Sequence, residues 1–581
     1  MNKHLLPLGL AVACCLAPAK ALDLDKFAPK SLPVSSGIVK PDSDEHFSEG
    51  DSAVLIKELR AIICHPNQET FQASNLNRVE GVQLNGIHAP NQPQLIQLLR
   101  AYIGKPLTLA AIGRLNRDIV LFYRKHDHPV VDVIVPEQDI TSGVLQLVVL
   151  ESRLGEVRAE GNRWFSSSML TSEIKMHPGD SILGSRVEAD LRWLSSNPFR
   201  LVSLLYTPGK AAGTTDLVLE TKDRFPFRIY AGTENTGNAS TGDERWLTGF
   251  NWGNAFGLDH QLSYQFTASG NFQSLRAHSV TYEAPLPWHH MLTLLGTYTE
   301  TSSNLISTGQ LFNAGGYSEQ ASLRYKIPVR KIGPITHDVF AGFDFKRTNN
   351  NLQFGGTAVY DTSTNIFQWL AGYDASEKDR WGTTSINTMV VFSPGNIDPE
   401  NTTPVFQQAE AGAKSGYLYG QFRLERATRL PGDFSLVTRG SYQWSDATLL
   451  PSEQLALGGY NSVRGYEEDQ VRGDSGLLFS MELLTPPLNF VRQFTGASKG
   501  WKIPLDDQLQ FLCFWDYGMA QLRSLAAGAA RRTALSGAGV GFRYSLNTCL
   551  SLRFDYGWQL TDPGTPRRFD SRASFGLVVS Y

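Results

Sequence analysis

The chain is short of cysteine, has no bias in charge and contains no long apolar run. Its 581 residues hold five cysteines. Cys14 and Cys15 fall in the amino-terminal leader described below, which leaves Cys64, Cys513 and Cys549 at irregular spacing. An odd, irregular set fits neither a disulfide framework nor a zinc site, so three isolated thiols are expected. Lysine plus arginine (53) nearly balances aspartate plus glutamate (56), and the net charge of -3 gives no basic bias toward nucleic acid. Nowhere do about eighteen apolar residues run together, which argues against helical membrane spans after the amino terminus.

Catalytic signatures are missing too. Gly473-Asp474-Ser475-Gly476 looks like a serine-protease nucleophile loop, but no histidine or aspartate element of a protease accompanies it. His289-His290 follows Pro287 in a short turn, where an interfacial position is the better reading than a metal site. Gly537, Gly539 and Gly541 alternate along a strand with no helix after them, which is not a dinucleotide loop. No catalytic residue, metal or cofactor is expected, and the chain reads as a non-enzyme.

What is present is glycine (52 residues), aromatic side chains (11%) and alternation. Residues 1–21 read as a secretory signal, with Lys3 and His4, an apolar core over 5–16 and an Ala19-Lys20-Ala21 cleavage site. A lipoprotein reading through Cys14 is poor, because Ala11 stands where leucine is preferred. Residues 22–53 are polar and rich in proline and serine, an arm or linker without a clear amphipathic helix. The segment 54–64 fits a helical stripe and a strand equally well.

Residues 79–151 alternate as strand, helix, helix, strand, strand. Leu95, Leu98 and Leu99 mark one helix; Ile112, Leu115, Ile119 and Phe122 mark the next, which Thr108 can cap. The same order recurs over 153–222, a weak repeat of about 70 residues with longer spacing than the usual solenoids.

After Phe225 no long helix is expected, and short alternating segments run to the last residue. Leu550, Leu552, Phe554, Tyr556 and Trp558 share a face opposite Ser551, Arg553 and Asp555. Phe575, Leu577, Val579 and Tyr581 face away from Gly576, Val578 and Ser580. An apolar, aromatic face backed by a polar or small one is the pattern of a membrane β-barrel. Short turns (256–259, 285–287, 546–548) alternate with long loops expected over 301–316, 348–363, 394–412 and 446–474; the connection 486–507 breaks the rule. The count is about sixteen strands, with 365–373 and 387–392 the faintest.

The sixth long loop carries Val463-Arg464-Gly465-Tyr466, and the strand after it Phe514-Trp515-Asp516. A loop arginine and a wall aspartate can pair and pin the loop. With Asp516 inward, Leu512 and Phe514 are inward and Phe511, Cys513, Trp515 and Tyr517 face lipid. An ionised aspartate on the lipid face is expensive, which favours this parity.

Together, the two α/β repeats, the barrel and this motif pair resemble the two-partner secretion transporters of TpsB type, the ShlB/FhaC/HecB family of the BamA-like superfamily. Residues 102–108 and 135–140 resemble the first polypeptide-transport-associated (POTRA) domain of these proteins. The resemblance implies a mainly β fold, a 16-stranded transmembrane β-barrel preceded by two small α/β POTRA domains. Its divisions are POTRA domain 1 at 54–151 (starting between 54 and 78), POTRA domain 2 at 152–222 and the barrel at 223–581. It implies type V protein transport: secretion, with activation, of a partner protein such as a haemolysin or adhesin. The barrel would sit in the outer membrane of a Gram-negative-type bacterium, with the POTRA domains in the periplasm. Val463, Arg464, Gly465 and Tyr466 become a lumen latch, with Phe514 and Asp516 its partners on the wall. Phe575, Leu577, Val579 and Tyr581 resemble the terminal signal read by the barrel-assembly machinery. The implied partners are a TpsA-like secreted protein, outer-membrane lipids and that machinery. The other readings are a BamA-like assembly factor and a passive porin-like channel. The family often carries an amino-terminal plug helix, which the composition of 22–53 puts in question.

Overall fold

The computed structural model describes residues 38–39, 53–71, 76–238, 240–307, 310–354, 357–489, 507–525, 530–562 and 570–581. The expected signal and its cleavage site, most of the 22–53 arm and most of the 486–507 connection lie outside these residues. Contacts divide the chain into two compact units, broken at Phe225–Pro226.

The amino-terminal unit holds two four-stranded sheets and a two-stranded one, in which Val54–Ile56 pairs with Leu107–Thr108. Its elements are β1 (Ile38–Val39), β2 (Val54–Ile56), β3 (Ala61–His65), β4 (Gly81–Leu84), α1 (Gln92–Arg100), β5 (Leu107–Thr108), α2 (Leu109–Lys125), β6 (Val131–Ile134) and β7 (Val144–Glu151). The second set is β8 (Arg153–Glu160), α3 (Ser167–Ser172), α4 (Gly184–Leu194), β9 (Arg200–Pro208) and β10 (Thr214–Asp223).

In the first sheet the order is β4-β3-β7-β6. The ambiguous 54–64 segment is two short strands, β2 and the start of β3, separated by residues 57–60, and β3 runs parallel to both β4 and β7. All five of its residues are buried. Ile62 and Cys64 pack with Leu99, Leu115 and Ile119 of the helices, while Ala61 and Ile63 pack with Val144, Leu76 and Val79. A strand covered on both faces loses its polar alternation, which is why its periodicity could pass for a helix. Thr108 caps α2 by accepting the Ala111 N–H at 3.1 Å.

The second sheet has the order β1-β9-β10-β8. Residues 38 and 39, inside the stretch read as a linker, pair in parallel with Leu204 and Leu205 at its edge. Helix α4 begins after Leu183, which offers no side-chain cap. Asp127, from the loop after α2, supplies it: its carboxylate accepts Ser185 N–H at 2.6 Å and Ser185 Oγ–H at 2.5 Å. Asp127 holds a left-handed φ of 76° to do so. The helix expected over 166–176 is shorter, since Asp190 draws the Lys175 N–H to itself at 3.0 Å.

The second unit is a closed barrel of sixteen strands. The first eight are β11 (Phe227–Glu234), β12 (Arg245–Ala255), β13 (His260–Ser269), β14 (Leu275–Pro285), β15 (Met291–Ser307), β16 (Gln310–Ile332), β17 (Ile335–Phe354) and β18 (Thr357–Lys378). After β19 (Gly382–Ser393), a loop with the short helix α5 (Thr403–Ala409) leads to β20 (Tyr417–Arg429) and β21 (Ser435–Ser445). The next loop contains the small hairpin β22 (Leu455–Leu457) and β23 (Val471–Gly473). The wall resumes with β24 (Ser475–Leu484), β25 (Asp507–Gln521), β26 (Arg532–Leu546), β27 (Leu550–Gln559) and β28 (Ser571–Ser580).

Within two of the expected long loops, 301–316 and 348–363, the described residues are strand instead. β15 continues to Ser307 and β17 to Phe354, each pairing through to the next strand. Their threonines, serines and asparagines read as loop because alternation marks a strand only where one face meets lipid; beyond the lipid both faces are wet.

Closure of the ring is uneven. β11 and β28 pair over five residues, Tyr230↔Ser580 to Glu234↔Gly576, against eight for β11 and β12. Side chains extend this short joint. The Asn235 amide donates to Ala573 O at 2.8 Å and accepts from Phe575 N at 2.7 Å. Arg553 of β27 reaches across β28 to Glu234 at 2.7 Å.

Candidate functional site in the barrel lumen

Strand parity decides which side chains enter the lumen. Along β25, Leu512, Phe514 and Asp516 are buried while Phe511, Cys513 and Trp515 are exposed. Asp516 has no exposed surface and Arg464 retains 5%. The loop between β21 and β24 carries Arg464 inward to meet it. Nε and Nη2 of Arg464 donate to the two oxygens of Asp516 at 2.7 and 2.9 Å, and the Arg464 backbone N–H adds a third bond at 3.1 Å. The guanidinium lies 3.6 Å above the centre of the Phe514 ring. A fork of parallel bonds over an aromatic face fixes orientation as well as position.

The pair sits in a larger network that the motif search missed. Arg464 Nη1 also donates to Glu482 at 2.5 Å and lies 3.7 Å from Asp555. Ser480 donates to Asp516 at 2.7 Å. Arg439 pairs with Glu482 at 2.9 Å, and Arg543 with Asp555 at 2.9 Å. Three carboxylates therefore face three guanidinium groups, so the desolvation of each charge is offset by partners of opposite sign. The signal that could have found Glu482 and Asp555 was parity: both are charged residues that alternate with the outward apolar side chains of β24 and β27.

The neighbours of Arg464 dock by different means. Val463 and Tyr466 are fully buried. The Tyr466 hydroxyl lies 2.9 Å from Ser536 O and 2.7 Å from Thr561 O. Gly465, at φ 98°, accepts from Gln559 at 2.9 Å and presses its backbone onto β27. A side chain at Gly557 would meet Gly465 N at 2.7 Å, and one at Gly537 would collide with the Arg464 carbonyl. The spaced glycines of β26 are thus room for the loop and its partners. Tyr460 of the same loop stacks on Arg553, 3.9 Å from the guanidinium to the ring centre.

The loop has a second anchor on other strands. Glu453, 4% exposed, takes Lys346 of β17 at 2.7 Å and Tyr419 of β20 at 2.9 Å. A cavity of about 1230 Å³ is lined by both anchors, including Lys346, Glu453, Arg464 and Glu482. Glu453→Gln and Lys346→Met are each expected to raise the conductance of the reconstituted protein, and to raise it further when combined with Arg464→Ala. Conductance equal to wild type in both variants would rule the second anchor out.

The other marked residues find plain roles. Asp474 of the protease-like tetrad accepts Leu449 N–H at 2.8 Å and Arg523 N–H at 2.7 Å, clamping loop bases together. His290 bonds to the Tyr325 hydroxyl at 2.6 Å, and Trp288 donates to the same oxygen at 3.0 Å. Among the described residues no cluster could hold a metal ion. Cys64 is buried, while Cys513 and Cys549 are exposed, and all three are free thiols. Burial pushes the Cys64 thiol up to about 12. Phe575 and Val579 are exposed on the outer face of β28, and Tyr581, 90% exposed, donates its N–H to Ile229 O at 2.9 Å.

Comparison with known proteins adds three findings. A family profile described as haemolysin secretion/activation protein ShlB/FhaC/HecB matches residues 213–544, and one for the ShlB-type POTRA domain matches 78–152. Among curated relatives, the heme/hemopexin transporter protein HuxB of Haemophilus influenzae is 25% identical over 428 residues, covering 67% of this chain and 68% of its own. The outer membrane transporter CdiB of Dickeya dadantii is 23% identical over 474 residues, 80% of each chain. In fold, CdiB from Escherichia coli superposes with a TM-score of 0.70 at 17% identity, covering 94% of this chain and 93% of its own. CdiB from Acinetobacter baumannii gives 0.61 at 18% identity over 96% and 95%.

Proposed function

The chain belongs to the haemolysin secretion/activation (ShlB/FhaC/HecB) family, and from that premise we propose that its lumen loop is a latch on the path of one secreted partner protein. The family is one of two-partner secretion transporters, not of enzymes, and the protein is an outer-membrane transporter whose POTRA domains lie in the periplasm.

The observation that supports the latch is the double anchorage of the 446–474 loop, on Asp516 and on Glu453's partners, across a cavity lined by charged and polar groups. A client arriving unfolded can add as a strand to an exposed sheet edge, held by backbone hydrogen bonds with little demand on its sequence. It then threads the lumen once the loop has shifted. Folding outside biases the direction, so no nucleotide is needed. In the bilayer, the outward aromatic face meets the lipids. The alternation at Phe575, Leu577, Val579 and Tyr581 is the segment that the assembly machinery would read. The partner is a TpsA-like protein, and a haemolysin or an adhesin both fit.

The test is co-expression with a candidate TpsA-like secreted protein. The partner should reach the medium only when this chain is present. If instead other barrel proteins fail to insert on its depletion, it is an assembly factor. Uptake of small solutes without any export would make it a passive channel.

A further inference from the structure

The loop between β8 and α3 is stiff, and it displays two side chains that suit a membrane surface. Asp223, at the end of β10, gathers its backbone: its carboxylate accepts the N–H groups of Arg163 at 2.9 Å, Trp164 at 2.7 Å and Phe165 at 3.2 Å. Asn162 ties the far side, donating to Phe165 O at 2.7 Å and to Ser167 Oγ at 3.0 Å. Gly161, at φ 79°, permits the approach, since a side chain there would meet Thr221 O at 2.7 Å. Phe165 is buried as the loop's anchor.

What this frame holds outward is basic and aromatic. Trp164 is 37% exposed and Phe225 53%. Their rings meet edge to face at 5.0 Å, and the Arg163 guanidinium covers Trp164 at 4.8 Å. Backbone hydrogen bonds to Asp223 hold Trp164 at the surface, with Phe225 against its ring.

Covalent connection limits how far Phe225 can lie from the first barrel strand. Pro226 alone separates Phe225 from Phe227, the first residue of β11. Two residues of chain span at most about 7 Å. Phe227 faces outward on the barrel and stacks on Phe250 at 5.6 Å, within the aromatic belt at the short-turn end. The Trp164–Phe225 pair is thus within one short tether of the lipid boundary. Tryptophan rings favour the headgroup layer, and an arginine beside them can reach phosphate while its stem stays on the ring.

We infer that Arg163, Trp164 and Phe225 form a lipid-binding tip through which the second POTRA domain holds the periplasmic leaflet, with phosphate-bearing headgroups as the ligand. A tip held at the membrane restrains the sheet that carries it, and the client edge with it.

The experiment uses the full-length protein in vesicles of phosphatidylethanolamine and phosphatidylglycerol, without a secreted partner, so its outcome is independent of export. A p-benzoylphenylalanine label at position 164 should yield a lipid adduct on irradiation, and Arg163→Gln should lower that yield at least threefold. Adducts only with the chain itself, or a lipid yield unchanged by Arg163→Gln, would overturn the inference. If the labelled protein does not fold, fluorescence decides. The tryptophan signal lost in Trp164→Phe should be quenched by lipids brominated near the headgroup; an unquenched Trp164 contribution overturns the inference equally.

Discussion

Arg464→Ala and Asp516→Ala should each cut export by the transporter to near background, and the double variant should be no worse than either. The pair is closed from water, and removing one member leaves a buried charge without its partner. Breaking such a pair costs about 3–5 kcal/mol, mostly the desolvation of the group left behind. Here the group left behind by Arg464→Ala is not alone. Asp516, Glu482 and Asp555 would face one another with one cation fewer, so repulsion adds to the loss. Arg464→Lys should not rescue, because an ammonium cannot make the two parallel bonds to Asp516 while stacking on Phe514. Export defects that add in the double variant would show that the two residues act separately. Heat-modifiable migration of the barrel should be kept in every variant, which separates a lost latch from a lost fold.

Deleting residues 22–222 should leave an inserted barrel that exports nothing. The ring owes no strand to the removed part: β11 starts at Phe227, and the closed order runs from β11 to β28. With every ladder intact, no backbone edge opens to lipid and insertion is preserved. What goes is the pair of sheets on which an extended client can add. Export of the partner at the wild-type level after this deletion would end the proposal that these sheets receive it.

Much of this architecture was legible from residues alone, for physical reasons. Alternation of the kind seen at Leu550, Leu552, Phe554, Tyr556 and Trp558 reports a wall between lipid and water, and it gave the strand count. The same rule explains the misreading of 301–316 and 348–363, where strands leave the lipid and their pattern fades. β3 was ambiguous because both of its faces are covered. In the site, Arg464 and Asp516 stood out by motif. Glu482 and Asp555 required knowing which inward residues come together across strands, and Glu453 lies in a loop where spacing carries no information on reach. Asp127 was invisible for the same reason: a helix cap lent by one repeat to another has no signature in either.

One cation, Arg553, belongs to two structures at once. It pairs with Glu234 across the shortest joint of the ring and carries the Tyr460 ring of the lumen loop on its other side. The barrel is therefore less a hoop than a bracelet, and the part that fills its interior also holds the clasp. The loop thus touches, through one side chain, the joint with the fewest rungs. The docking of the loop and the closure of the circumference share that side chain.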